Sequence, residues 1–221
     1  MKKSLLTTGF LVSAILVSAQ SFEGIIEVAT YSKATQDAAV VKWFTKGGSN
    51  KMEITGTSEG KAYTTVLLFK TNDEQLYILT EIEGRKAVYT VPQSSIAESS
   101  KFSNAAVAKT EGKKSIAGYD CYQVKIETRE ETALCWVSDA IGLGAENFPP
   151  SLRSKGVLGI LKSSGISGIP LEVTSTNAAG ETTFSFQVKT IKPQALSESF
   201  FDIPPDFQKG EELLKKSVKV E

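Results

Sequence analysis

Short alternating segments separated by turn residues recur along the first half of the chain. Between Phe22 and Pro92, apolar and polar residues alternate in FEGIIEVATY, KAYTTVLLF and QLYILTEI, and turn residues interrupt the alternation about every 10 to 15 residues. No helical period is found in this half. The pattern predicts an antiparallel meander, and the later segments IPLEVTSTN and ETTFSFQVKTI predict a further hairpin.

The N-terminus has the pattern of a secretory signal peptide. Lys2 and Lys3 precede an apolar run over residues 5–17, and small residues end at Ala19. We predict cleavage after Ala19 and one mature domain over residues 20–221. No cysteine follows the small residues and no second long apolar run occurs, so we expect a soluble mature protein with neither a lipid anchor nor an integral membrane segment.

Composition argues against several function classes. The chain has 25 basic and 25 acidic residues, and removing Lys2 and Lys3 leaves 23 basic against 25 acidic residues. Nucleic-acid binding requires a basic surface, so this balance argues against it. Histidine is absent, which removes the usual general base and the commonest metal ligand. Ser58 and Lys61 match a serine–lysine nucleophile spacing but lie in a turn without companion motifs. We predict no enzyme, catalytic residue, metal site or cofactor.

The two cysteines fall inside one predicted hairpin. If its turn is centred on Thr128, Cys121 lies directly opposite Cys135, while Tyr122 and Leu134 face each other on the other side. Two cysteines in an exported chain favour a disulfide over a structural zinc site, which needs about four ligands. We therefore predict a Cys121–Cys135 disulfide, with a reduced buried pair as the alternative.

A segment without strand alternation separates this hairpin from the last one. Its apolar residues favour a short helix over residues 151–162, which Gly156 and Gly159 weaken by about 1 kcal/mol each relative to alanine. The helix is either a crossover that caps the core or a movable cover over an apolar cavity.

The strands carry more aromatic side chains than a thin sheet requires. Either helices and neighbouring side chains enclose them, or the sheet curls around an apolar ligand. For the second case we predict ten lining residues: Trp43, Tyr63, Tyr77, Tyr122, Leu134, Trp136, Leu158, Leu161, Phe184 and Phe186.

Several phrases of the chain resemble a known family. They are FEGIIEVATYS, VVKWFTKGGSNKMEI, GKKSIAGYDCYQVKI followed by CWVSD, IPLEV and FFDIPPDF. Together they resemble uncharacterised secreted bacterial domains related to the LolA/LolB-like outer-membrane lipoprotein-sorting carriers. The resemblance implies a mainly β, LolA-like fold: a curved antiparallel half-barrel whose apolar concave face takes lipid acyl chains under one or two short helices, the 151–162 helix serving as cover.

The expected function follows from the resemblance and the aromatic strands together. We expect a monomeric, non-enzymatic binding or carrier protein for a lipid, a lipoprotein acyl chain or another apolar molecule. Its expected location is the periplasm of a Gram-negative bacterium, with an extracellular location as the alternative. The alternative function is a structural or interaction domain of the cell envelope whose own side chains fill the core.

Overall fold

The fold was analysed in a computed structural model. It describes residues 22–34, 36–58, 60–70, 72–82, 84–93, 104–143, 147–148 and 156–210. The predicted signal peptide, residues 1–19, and residues 151–155 of the predicted helix lie outside this part of the chain. No helix within it is long and apolar enough to cross a membrane.

The described residues form twelve strands, one α-helix and a 3₁₀ turn. The helix, α1, spans Gly156–Ser163, and the 3₁₀ turn spans Glu198–Phe201. The strands are β1 Gly24–Ser32, β2 Asp37–Lys46, β3 Ser49–Ser58, β4 Lys61–Lys70, β5 Gln75–Ile82, β6 Arg85–Pro92, β7 Ala106–Ile116, β8 Tyr119–Glu127, β9 Glu131–Ser138, β10 Ile169–Asn177, β11 Thr182–Pro193 and β12 Gln208–Lys209.

All twelve strands belong to one curved, open sheet. Its order is β12-β6-β5-β4-β3-β2-β1-β11-β10-β9-β8-β7, so two meanders meet where β1 pairs with β11. Neighbours are antiparallel except for β12, a two-residue strand parallel to β6 that the sequence pattern did not predict. The predicted fold class, a mainly β curved antiparallel sheet with a short helix, is confirmed.

Tight two-residue loops join several neighbouring strands. Lys46 pairs with Ser49 around Gly47 and Gly48, whose φ angles of 53° and 84° lie in the left-handed region. Such angles at both central positions match the right-handed twist of the flanking strands and cost glycine nothing sterically. Gly47 and Gly48 therefore close the β2–β3 hairpin.

Strand pairing divides the sheet into two faces. The inner face carries Val28, which lies opposite Val41 on β2 and Val188 on β11. Phe44 alternates with these positions and lies on the outer face, where it packs with Leu196 and Phe201 near the 3₁₀ turn. The inner face is the face that α1 covers.

A dry core lies between α1 and the inner face. Leu161 of α1 is 1 % exposed and packs with Val124, Ile126 and Cys135 of β8 and β9, each fully buried. Ala133 and Val137 complete the row along β9. This region corresponds to the predicted crossover helix that caps the core.

The C-terminal end of α1 is closed by backbone hydrogen bonds. Ile166 N–H donates to the Leu161 carbonyl at 2.9 Å, and Gly165 N–H donates to the Lys162 carbonyl at 3.1 Å. With Gly165 at φ 71°, these two bonds form a Schellman motif. The Tyr122 hydroxyl of β8 donates to the Ser167 carbonyl at 2.5 Å, so this end of α1 is tied to the sheet.

The predicted Cys121–Cys135 disulfide is wrong. Both cysteines are free and buried. The turn lies over residues 128–131, because Glu127 pairs with Thr132, and this register places Val124 rather than Cys121 opposite Cys135. Cys121 and Val124 are three positions apart, so strand alternation directs the Cys121 side chain to the other face.

Candidate functional site

An apolar cavity of about 270 Å³ lies on the inner face beside α1. Strands β1, β2, β3, β10 and β11 form its floor, and Val157 and Leu158 of α1 form one edge. The described lining residues are Ile26, Val28, Thr30, Val41, Trp43, Met52, Ile141, Leu143, Phe148, Val157, Leu158, Ile169, Pro170, Leu171, Val173, Phe184, Phe186 and Val188.

The cavity surface contains almost no hydrogen-bonding group. Thr30 is the one polar side chain among the described lining residues, and its hydroxyl donates to the Ala39 carbonyl at 3.4 Å. No charged residue belongs to that lining. A polar group buried there without a partner costs roughly 1–3 kcal/mol or more, so the surface suits hydrocarbon.

A hydrogen bond and a ring contact hold Trp43 in the cavity wall. Its indole Nε1 donates to Asn50 Oδ1 at 2.9 Å, and Asn50 Nδ2 donates to the Gly48 carbonyl at 2.9 Å. Phe148 meets the indole ring edge-on, with 4.8 Å between the ring centroids. Because its N–H is bonded to Asn50, Trp43 presents carbon to the cavity.

The two ends of the cavity differ in exposure. Ile26, Trp43 and Leu171 are 3 %, 5 % and 2 % exposed, so these side chains are buried at one end. Phe184, opposite Ser32 at the far end of β1, is 40 % exposed. The cavity therefore has a buried end near Trp43 and a mouth near Phe184.

Four of the ten predicted lining residues lie on the cavity wall. Trp43, Phe184 and Phe186 come from strands, and Leu158 comes from α1. Tyr122 and Leu161 belong to the dry core under α1. At these two positions α1 fills the space above β8 and β9.

The other four predicted lining residues lie away from the cavity. The Tyr63 ring lies over Gly56, where an added Cβ would come within 2.8 Å of the Tyr63 hydroxyl oxygen. Tyr77 borders a separate groove with Phe201. Leu134 and Trp136 lie on the outer face, because they pair with Thr174 and Glu172, which alternate with inner-face positions.

Trp136 contributes to a polar cluster on the outer face. Lys114 Nζ lies 4.3 Å from the centroid of the Trp136 ring and 2.6 Å from Glu172 Oε1. Gln187 Nε2 donates to Glu172 Oε2 at 2.9 Å. The indole therefore packs against a cation on the outer face.

Sequence reasoning missed two groups of lining residues. Ile26, Val28 and Val188 are aliphatic strand positions that alternation places on one face, yet the prediction gave weight to aromatic residues. Ile141, Leu143 and Phe148 follow β9 in a segment without periodicity, and no local pattern indicates where they pack.

Both thiols lie in surroundings that disfavour the thiolate. Burial raises the pKa of Cys135 from 9.0 to about 12. Burial also raises the pKa of Cys121, while a backbone hydrogen bond from Ile116 and the charge of Lys114 act in the opposite direction. Neither cysteine is poised as a nucleophile at neutral pH. Within the described part of the chain, no three His, Cys, Asp or Glu residues cluster as metal ligands would.

Comparison with protein families gives one match over most of the chain. The model described as "Domain of unknown function (DUF4412)" matches residues 22–207. No curated protein matches the chain.

Several solved structures share the architecture at low identity. An uncharacterised conserved protein from Thermus thermophilus is 9 % identical with a TM-score of 0.52, and the match covers 86 % of this chain and 91 % of that chain. MucB in the MucA/MucB complex of Pseudomonas aeruginosa is 10 % identical with a TM-score of 0.48, over 86 % of this chain and 59 % of that chain.

A putative outer membrane lipoprotein-sorting protein domain from Vibrio parahaemolyticus is 11 % identical with a TM-score of 0.36, over 90 % and 93 % of the two chains. This chain thus spans 59 % of the length of the Pseudomonas protein that it matches. The Thermus structure supports the fold described above.

Proposed function

The chain belongs to the DUF4412 family, a domain of unknown function, and we propose that it is a non-enzymatic binding or carrier protein whose ligand is a lipid or another apolar molecule. Family membership confirms the predicted resemblance to uncharacterised domains. Because the family has no assigned activity, the proposal rests on the site itself.

The observation that supports this function is an apolar space that the described side chains line but do not fill. Apolar cavities of about 150 Å³ stay dry and bind a molecule of the size of benzene. The cavity beside α1 has about 270 Å³ and one polar lining side chain among those described. A space of that size left by the protein's own side chains forfeits packing energy, which an apolar ligand would restore.

The geometry of α1 supports a covering role. Its Schellman motif and the hydrogen bond from Tyr122 tie down the C-terminal end, over the dry core. Val157 and Leu158, at the N-terminal end, border the cavity. Gly156 and Gly159 fall in this half of the helix, where each lowers helix stability by about 1 kcal/mol relative to alanine. We propose that the cavity opens by displacement of this end.

The test of the function is a binding measurement with two readouts. Gently purified protein is extracted with solvent and analysed by mass spectrometry, and delipidated protein is titrated with a fluorescent fatty acid. We expect a co-purifying lipid and saturable uptake of one probe per chain. No lipid together with no uptake would favour the alternative, a structural or interaction domain with a self-filled core.

Export to the periplasm is part of the same proposal. The predicted signal peptide would release a chain that begins at Gln20. N-terminal sequencing of the protein recovered from the periplasmic fraction of an expressing Gram-negative cell tests this directly. A cytoplasmic protein that retains Met1 would contradict it.

A further inference from the structure

We propose that the ligand is a single-chain amphiphile that enters tail-first, with its tail toward Trp43 and its polar head outside the mouth at Phe184. This inference rests on the proposed function and adds the number of tails and their direction. The volume, the length and the polarity of the cavity support it.

The volume of the cavity matches one tail. A cavity of about 150 Å³ holds the six carbons of benzene, so about 270 Å³ holds roughly eleven carbons by simple scaling. Two tails of that length would need about twice the volume. The C-terminal half of α1 cannot supply the missing volume by moving, because Leu161 is already packed against fully buried side chains.

The length of the cavity matches one tail as well. Its lining on β1 runs from Ile26 at the buried end through Val28 to Thr30, and Phe184 at the mouth lies opposite Ser32, six residues from Ile26. Six residues at about 3.3 Å each give roughly 20 Å. One leaflet of a bilayer has a hydrocarbon thickness of about 15 Å, so an extended tail fits along the strands.

The polarity of the cavity sets the direction of the tail. A carboxylate or phosphate at the Trp43 end would lie beside Ile26, Trp43 and Leu171, which are at most 5 % exposed, with no charged side chain among the described lining residues to pair with it. Burying an unpaired charge costs several kcal/mol or more. At the mouth, where Phe184 is 40 % exposed, the head keeps its hydration.

The number of tails is tested with lipids that share one headgroup. Delipidated protein is titrated with decanoyl lysophosphatidylcholine and with didecanoyl phosphatidylcholine, both below their micellar concentrations. We expect the two affinities to agree within about tenfold, because the second tail finds no space. Didecanoyl lipid that binds more than a hundredfold tighter would overturn the single-tail inference and leave the proposed function standing.

The length of the tail is tested with a series of saturated fatty acids. Each added pair of methylenes raises affinity roughly tenfold while the tail remains inside the cavity. We expect the rise to end near eleven carbons. A rise that continues unchanged to sixteen carbons would contradict the inferred depth.

The direction is tested with the two tryptophans of the chain. The substitution Trp136→Phe removes the indole on the outer face and leaves Trp43 as the one remaining tryptophan. Dodecanoic acid brominated on its last carbon should quench Trp43 fluorescence several-fold more than the acid brominated next to the carboxylate. The reverse order would overturn the tail-first direction. If no amphiphile binds in any arm, the proposed function itself fails.

Discussion

Two regions of the same inner face differ in how they are filled. Under α1, Val124, Ile126 and Cys135 are fully buried by the protein's own side chains. A few strands away, Val28 and Trp43 face an open space of about 270 Å³. A self-filled core and an apolar cavity therefore coexist on one sheet.

The difference depends on which side chains lie above the sheet in each region. Leu161 of α1 packs onto β8 and β9, whereas Val157 and Leu158 reach only the edge of the cavity. Alternating strands supply equally apolar floors in both regions. What covers a floor, rather than the floor itself, decides whether it becomes core or cavity.

The largest expected effect is a difference in stability between alanine variants of two leucines of α1. Leu161→Ala should lower the free energy of unfolding by about 2–5 kcal/mol, because it leaves a void in a packed region. Leu158→Ala removes the same atoms from the same helix but borders an existing cavity, so we expect about 1 kcal/mol. Urea denaturation of both variants measures the difference. Equal losses would show that the two regions are packed alike.

The second effect comes from enlarging a side chain, rather than shortening it, at two valines of the inner face. Val124→Phe overfills the packed region and should cost about 1–3 kcal/mol. Val28→Phe places its ring in the cavity, so stability should change by less than about 1 kcal/mol while uptake of a fluorescent fatty acid is lost. Thermal unfolding and probe titration measure the two outcomes. A folded Val28→Phe variant that binds normally would place the ligand elsewhere.

The third effect is a change in the pH dependence of stability, and it concerns the buried thiol of the packed region. Burial raises the pKa of Cys135 from 9.0 to about 12. The folded protein therefore holds this proton more tightly than the unfolded chain, and the associated stability is complete below about pH 9 and lost as pH rises toward 12. We expect Cys135→Ala to flatten the decline in unfolding free energy between about pH 9 and 11.

Cys121→Ala is the matched control for that slope. Its pKa is also raised by burial, but the backbone hydrogen bond from Ile116 and the charge of Lys114 offset part of the rise. We expect this variant to flatten the decline less than Cys135→Ala does. The opposite order of slopes would contradict the assignment of Cys135 to the drier surroundings.

The sheet was predictable because its determinants are local. Alternation and turn residues in KAYTTVLLF and QLYILTEI set the first meander without information from distant segments. The hairpin register was not predictable in the same way. A turn over residues 128–131 instead of one centred on Thr128 shifts the pairing by three positions, and this shift alone separates Cys121 from Cys135.

The cavity was predictable only in part for a related reason. Alternation identifies which residues share a face, and Trp43, Phe184 and Phe186 follow from it. It does not show where a nonlocal element packs. Tyr122 and Leu161 were therefore assigned to a ligand although α1 and its following loop bring them together.

A crystal structure of the protein with decanoic acid tests the central claim most directly. We predict one acid molecule in the cavity, with its tail beside Val28 and Trp43 and its carboxylate near Phe184, while the core around Leu161 is unchanged. A cavity closed by the protein's own side chains, with the acid absent or bound on the outer face, would contradict the account.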